Sequence, residues 1–151
     1  MTFDSQPPRM ACSACGIPTT AVMLLKTEGA PHGEPGHSFT YRLSAVMACA
    51  RCNAGYLERY DHDCYPTDEP LDWLSYHSLS ADDIARFLAY AKACGDPLNP
   101  ACGCATHEAL GAATEKVRMV SWSARSRIAP GGFEVRAGRP VFTPLREEPT
   151  K

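Results

Sequence analysis

The sequence predicts an α+β domain: a small antiparallel sheet first, then one central amphipathic helix, then a C-terminal part rich in strands. Three observations carry this expectation. Short apolar runs before residue 60 alternate with period two, and a segment just after residue 80 has apolar spacing of period 3.6 behind a capping signal. Two Cys-x-x-Cys pairs flank the first runs, and 13 Pro with 11 Gly interrupt the chain too often for long helices.

Taken in order, residues 1–11 (with Pro7-Pro8 and polar flanks) and 147–151 bury nothing and are expected to be disordered, leaving 12–146 as one domain. Within it, 12–65 forms the sheet and 66–146 the helix and C-terminal strands. Thr20 to Thr27 is a short apolar strand, and Ser38 to Ala48 is a second, with Phe39, Tyr41 and Leu43 alternating. A Gly/Pro/His-rich loop separates them. Gly55 to Tyr60 sets Tyr56 and Glu58 against Leu57 and Arg59, a half-buried third strand. Leu71 to His77 fits either a short helix or an apolar loop. The helix runs from Ala81 to about Ala93: Ser80 and Asp83 make a capping box, Ile84, Phe87, Leu88 and Ala91 share a face, and Gly95 and Pro97 end it. A weaker helix is expected from Thr106 to Glu115, with Gly111 costing about 1 kcal/mol relative to Ala. Val117–Trp122, Phe133–Arg136 and Val141–Leu145 read as strands, the last two pairing across Ala137-Gly138 at an edge where Pro140 and Pro144 are tolerated.

Eight cysteines need a use in disulfides or metal. Residues 1–10 do not look like a secretory signal, so the expected setting is the reducing cytoplasm, which favours metal. A Cys-x-x-Cys turn offers two thiolates to adjacent corners of a tetrahedron, and two turns complete a four-sulfur zinc site. The candidate ligands are Cys12, Cys15, Cys49 and Cys52, with Gly16 and Asn53 directly after the pairs, where the turn needs residues tolerant of positive φ. Over residues 12–60 this pattern resembles a zinc ribbon, in which two knuckles at the ends of β-hairpins hold one metal. The resemblance implies a structural zinc and no particular activity. The 33 residues between the pairs exceed the spacing of compact zinc fingers, and the loop from Glu28 to His37 absorbs the excess. Four thiolates also suit iron–sulfur coordination, but the ribbon-like context favours zinc.

A second group, Cys94, Cys102, Cys104 and His107, has Cys3His ligand types at a less stereotyped spacing. It is either a second zinc site or a set of buried thiols beside a surface His107. Cys64 and His62 fit structural roles better than ligation, and His32 and His37 fit an exposed loop.

Several function classes find no support. The His-Glu-x-x-His and deaminase patterns are missing, His107-Glu108 diverge by about 100° on a helix, and Gly131-Gly132 lacks the Lys-Ser/Thr of a phosphate loop. No run approaches the roughly 18 apolar residues of a membrane span. No catalysis is expected, although a zinc- or cysteine-dependent enzyme stands as an outside alternative. Charge is uneven. From Glu58 to Asp83 eight acids oppose one base, for −7, and from Lys116 to Arg146 seven bases oppose one acid, for +6. Acids interspersed with Tyr60, Tyr65, Trp73 and Tyr76 fit either a surface for another protein, as in an adaptor or an immunity-like inhibitor of a basic partner, or core aromatics beside acids that merely solvate the chain. The alternative is nucleic-acid binding through Lys116, Arg118, Arg125, Arg127, Arg136 and Arg139, with Trp122 and Phe133 as stacking surfaces.

Overall fold

The computed structural model describes residues 11–25, 39–64, 71–118 and 128–145, with the backbone alone for 39–43, 60–64 and 71–74. The α+β class holds. The strands β1 (Thr20–Leu24), β2 (Phe39–Ala48), β3 (Gly55–Cys64), β4 (Leu71–Leu79) and β5 (Ile128–Ala129) form one sheet in chain order. Two helices follow β4, α1 (Ala81–Ala91) and α2 (Ala105–Glu115). The strands β6 (Gly132–Arg136) and β7 (Arg139–Thr143) make a separate antiparallel hairpin.

The sheet is antiparallel from β1 to β4, and β5 adds a short parallel pairing, Tyr76 with Ile128 and His77 with Ala129. Its spine is the ten-residue ladder from Phe39↔Cys64 to Ala48↔Gly55. Gly55 is required there, because a Cβ would collide with the Met47 carbonyl. Leu71–His77 is neither helix nor loop but part of β4, paired with β3 from Asp63↔Leu71 to Gly55↔Leu79. β1 is shorter than expected, ending at Leu24, whose amide donates to the Pro97 carbonyl at 2.9 Å on the loop after α1.

Alternation along β2 and β3 separates two cores. Met23, Val46, Leu57 and Leu79 face the helices and pack with Ile84, Phe87, Leu110, Phe133 and Phe142. Burying each such side chain is worth about 1.5–3 kcal/mol. At its centre Phe133 stands edge-on to Phe87 at 5.4 Å and tilted against Phe142 at 5.0 Å. Ala45, Met47, Tyr56 and Tyr76 form the opposite core, with Tyr56 edge-on to Tyr76 at 5.3 Å. β3 is therefore not half-buried: Tyr56, Leu57, Glu58 and Arg59 are all buried. Arg59 reaches out from the helix-facing side, and its guanidinium donates to the Thr114 carbonyl at 2.5 Å, a cation placed where the last turn of α2 has carbonyls to satisfy.

The capping box at α1 forms as expected: the Ser80 hydroxyl accepts from the Asp83 amide at 3.0 Å, and the Asp83 carboxylate accepts from the Ser80 amide at 2.9 Å. The same carboxylate accepts from the Phe133 amide at 3.1 Å and pairs with Arg86 at 2.6 Å, so one side chain both starts the helix and docks the hairpin. Leu88 departs from the expected apolar face. It is 46% exposed, while Asp83 joins Ile84, Phe87 and Ala91 among the buried residues. The helix ends at Ala91, short of Ala93, and a turn in which the Cys94 amide donates to the Ala91 carbonyl carries the chain away. The hairpin turns at Ala137-Gly138 as expected, both at positive φ (49° and 79°), the geometry that matches the twist of its strands. Of the strand expected at Val117–Trp122, Val117 bridges Leu145 and the Arg118 amide donates to the Pro144 carbonyl at 3.0 Å; the rest lies outside the described residues, as do His32, His37, residues 1–10 and 146–151, whereas Ala11, expected to be disordered, pairs with Pro18.

Candidate metal centre

The register Thr20↔Ala48 brings the segment before β1 and the turn between β2 and β3 to the same end of the sheet, and these are the two Cys-x-x-Cys segments. Both fold alike. The Cys12 amide donates to the Ile17 carbonyl (2.9 Å) and the Gly16 amide returns to the Cys12 carbonyl (2.8 Å). The Cys49 amide donates to the Ala54 carbonyl (2.8 Å) and the Asn53 amide returns to the Cys49 carbonyl (2.9 Å). The residue that closes each turn is left-handed, Gly16 at φ 72° and Asn53 at φ 66°, as the sequence suggested. A hydrogen bond of 2.9 Å between the Thr19 hydroxyl and the Tyr56 phenol ties the exit of one turn to the exit of the other.

The four sulfurs of Cys12, Cys15, Cys49 and Cys52 lie within 4.8 Å of one another, and Cys12 Sγ is 3.6 Å from Cys52 Sγ. A tetrahedron with metal–sulfur bonds of roughly 2.3 Å has edges of about 3.8 Å, so the donor set fits a zinc-sized ion with little rearrangement. The electrostatics suit thiolates at some positions and resist them at others. Backbone amides of Cys52 and Arg51, the latter at 3.4 Å, bring the Cys49 thiol down to about 7 against its desolvation. Desolvation, then the neighbouring thiols, pushes Cys15 up to about 12. Four thiols this close cannot all ionise without a cation to neutralise them.

The second group lies between the helices. Cys94, Cys102 and Cys104 hold their sulfurs within 4.8 Å of one another, with Cys94 Sγ 3.8 Å from Cys102 Sγ. His107 is not at the surface but 1% exposed in the first turn of α2, with Nδ1 3.4 Å from Cys94 Sγ. It touches one thiol of the trio and stands outside the set of mutually close donors. Cys104 is the N-cap of α2, where the His107 amide donates to its sulfur at 3.3 Å and lowers its pKa, while burial pushes Cys94 up to about 11. Both cysteine groups can hold a metal ion. Cys64 and His62 sit on the β3 backbone, and their side chains lie outside the description.

Other expected binding residues are relocated by the fold. Phe133 and Tyr76 are 2% exposed core residues, so Phe133 offers no stacking surface and Tyr76 no interface. Arg136 pairs with Glu134 on its own hairpin at 2.6 Å. Tyr60, Tyr65, Trp73, Trp122, Arg125 and Arg127 have no described side chains. One feature without a sequence signal is a cleft of about 550 Å³ between α2 and β7, lined among others by Ala109, Ala113, Val141, Lys116 and Arg139. It arises from elements distant in sequence, each unremarkable alone. No helix among the described residues is long and apolar enough to cross a membrane. Comparison with protein-family models, curated proteins and solved structures returns no match.

Proposed function

We propose that this chain is a small structural-zinc protein of zinc-ribbon-like build, working as a non-catalytic module that binds another protein. The observation that carries the reading is the convergence of four cysteine sulfurs, from two like-folded turns, to tetrahedral spacing at one end of the sheet. Four protein thiolates fill a zinc ion's coordination and leave no open position for water, the arrangement of structural rather than catalytic sites. The ion would fix the end of the sheet where β1, β2 and β3 meet, giving the module a rigid frame. The preference for a basic partner rests on the acid excess of the sequence from Glu58 to Asp83, of which Asp82 is exposed while Glu58 and Asp83 are buried.

The test is elemental analysis of protein purified without chelator or affinity metal, with free thiols counted before and after denaturation. At least one zinc per chain is expected, and a Cys49→Ser/Cys52→Ser variant should hold one equivalent fewer than the wild-type chain. Absence of zinc together with a shortfall of free thiols would assign the cysteines to disulfides and overturn the reading. The binding role is tested by native capture on the immobilised chain. A basic protein retained at low salt and released as salt rises supports it, whereas capture independent of the chain's acids counts against it.

A further inference from the structure

We propose that Cys94, Cys102 and Cys104, together with His107 through the ring nitrogen facing Cys94, form a second zinc site that clasps the start of α2 to the end of α1. The claim does not depend on the first site.

Three sulfurs are already gathered, those of Cys94, Cys102 and Cys104 lying within 4.8 Å of one another. Cys104 is the N-cap of α2, and its sulfur accepts from the His107 amide at 3.3 Å, so the cap fixes the cysteine and the histidine relative to each other.

Two donor distances, both from Cys94, agree, and the set closes when the His107 ring moves toward the remaining sulfurs, since it lies beyond 4.8 Å of at least one of them. Cys94 to Cys102 at 3.8 Å matches the sulfur–sulfur edge of a zinc tetrahedron, about 3.8 Å, and Cys94 to His107 Nδ1 at 3.4 Å matches the sulfur–nitrogen edge, about 3.5 Å from bonds of roughly 2.3 and 2.0 Å. His107 needs such a role. It is 1% exposed, Nδ1 has a sulfur for a neighbour, and Nε2 has no hydrogen-bond partner among the described residues. A buried Nδ1 whose neighbour is a weakly bonding sulfur gains from a metal, while Nε2 would carry the ring proton and is not satisfied by that bond. A metal could enter from the cavity of about 470 Å³ lined by Cys102, Gly103, His107 and Glu108.

The full chain, reduced and metal-free, should be titrated with cadmium and followed by cadmium NMR. Two equivalents are expected, giving one resonance typical of four sulfurs and one typical of three sulfurs and a nitrogen. His107→Ala should weaken only the second, by more than the roughly 10- to 100-fold that losing an outer-shell partner costs. His107→Cys should keep both equivalents and move the second resonance to the four-sulfur position. This variant also guards against a folding failure of His107→Ala. A wild-type chain without the resonance of three sulfurs and a nitrogen overturns the proposal, as does such a resonance that neither substitution moves.

Discussion

The two cysteine groups share their donor chemistry but are built on different supports. Around Cys12, Cys15, Cys49 and Cys52 the sulfurs are placed by strand register, the ladder of β2 and β3 leading directly into the second turn. Around Cys94, Cys102 and Cys104 they are placed by the end of one helix and the cap of the next. A ladder of many hydrogen bonds holds its end in position whether or not an ion is present, whereas a loop between helices has far less to hold it. The sheet group should thus be largely preformed, and the helix group should gain most of its order from what it binds.

The largest effect expected from this contrast is on the sheet group itself. Zinc binding counts as folding free energy, about 10–16 kcal/mol in small zinc fingers, so Cys49→Ser/Cys52→Ser should destabilise the chain by more than the roughly 2–5 kcal/mol of a core truncation. Urea unfolding with and without zinc measures it, and a loss equalled by Cys102→Ser would erase the distinction between the groups. Gly55→Ala probes the ladder. Its Cβ would strike the Met47 carbonyl, so a cost of about 3 kcal/mol is expected. It should also loosen metal at the first group while leaving the second unchanged, which parallel cobalt titrations would show.

Asp83→Asn tests the helical side at about 2 kcal/mol, since the carboxylate serves the cap, the Phe133 amide and Arg86 together. Desolvation opposes its ionisation, but the amides of Ser80 and Phe133 and the Arg86 guanidinium outweigh it and hold its pKa below 3.8. The folded state is the weaker proton binder, so this contribution is complete above about pH 4 and is lost as pH falls further. His77 acts earlier in an acid titration. Desolvation lowers its pKa from 6.5, so stability should begin to fall below that pH, where the unfolded chain takes up a proton that the fold refuses. His77→Gln should flatten that part of the curve. The smallest effect is a gain: Ala137 holds φ 49°, and Ala137→Gly should stabilise by about 0.5 kcal/mol in thermal unfolding without touching either group.

What the sequence made legible was local. The Ser80/Asp83 cap, the Ala137-Gly138 turn and the left-handed residues after each Cys-x-x-Cys pair follow from rules spanning a few residues, and each is present. Leu71–His77 was ambiguous because its apolar and polar residues fit no single period, and only the long ladder with β3 makes it a strand. The burial of Glu58, Arg59 and His107 was not legible, since it depends on elements brought from elsewhere in the chain; the Arg59 partner, Thr114, is 55 residues away. Leu88 failed for the complementary reason: the pattern marks it apolar, but the packing of α1 leaves it nearly half exposed. The clustering of four sulfurs could be expected from paired spacing, whereas the approach of buried His107 to Cys94 shows only in the fold.

The hydrogen bond from Leu24 to Pro97 has a consequence beyond the fold of one molecule. β1 is an edge of the sheet, and an open edge is a template on which another chain's strand can grow. The Pro97 carbonyl occupies one of the outward amides of that edge, from a loop lying between Cys94 and Cys102. Whatever keeps that loop in place also keeps the edge guarded, and its loosening would first be noticed as self-association rather than as unfolding.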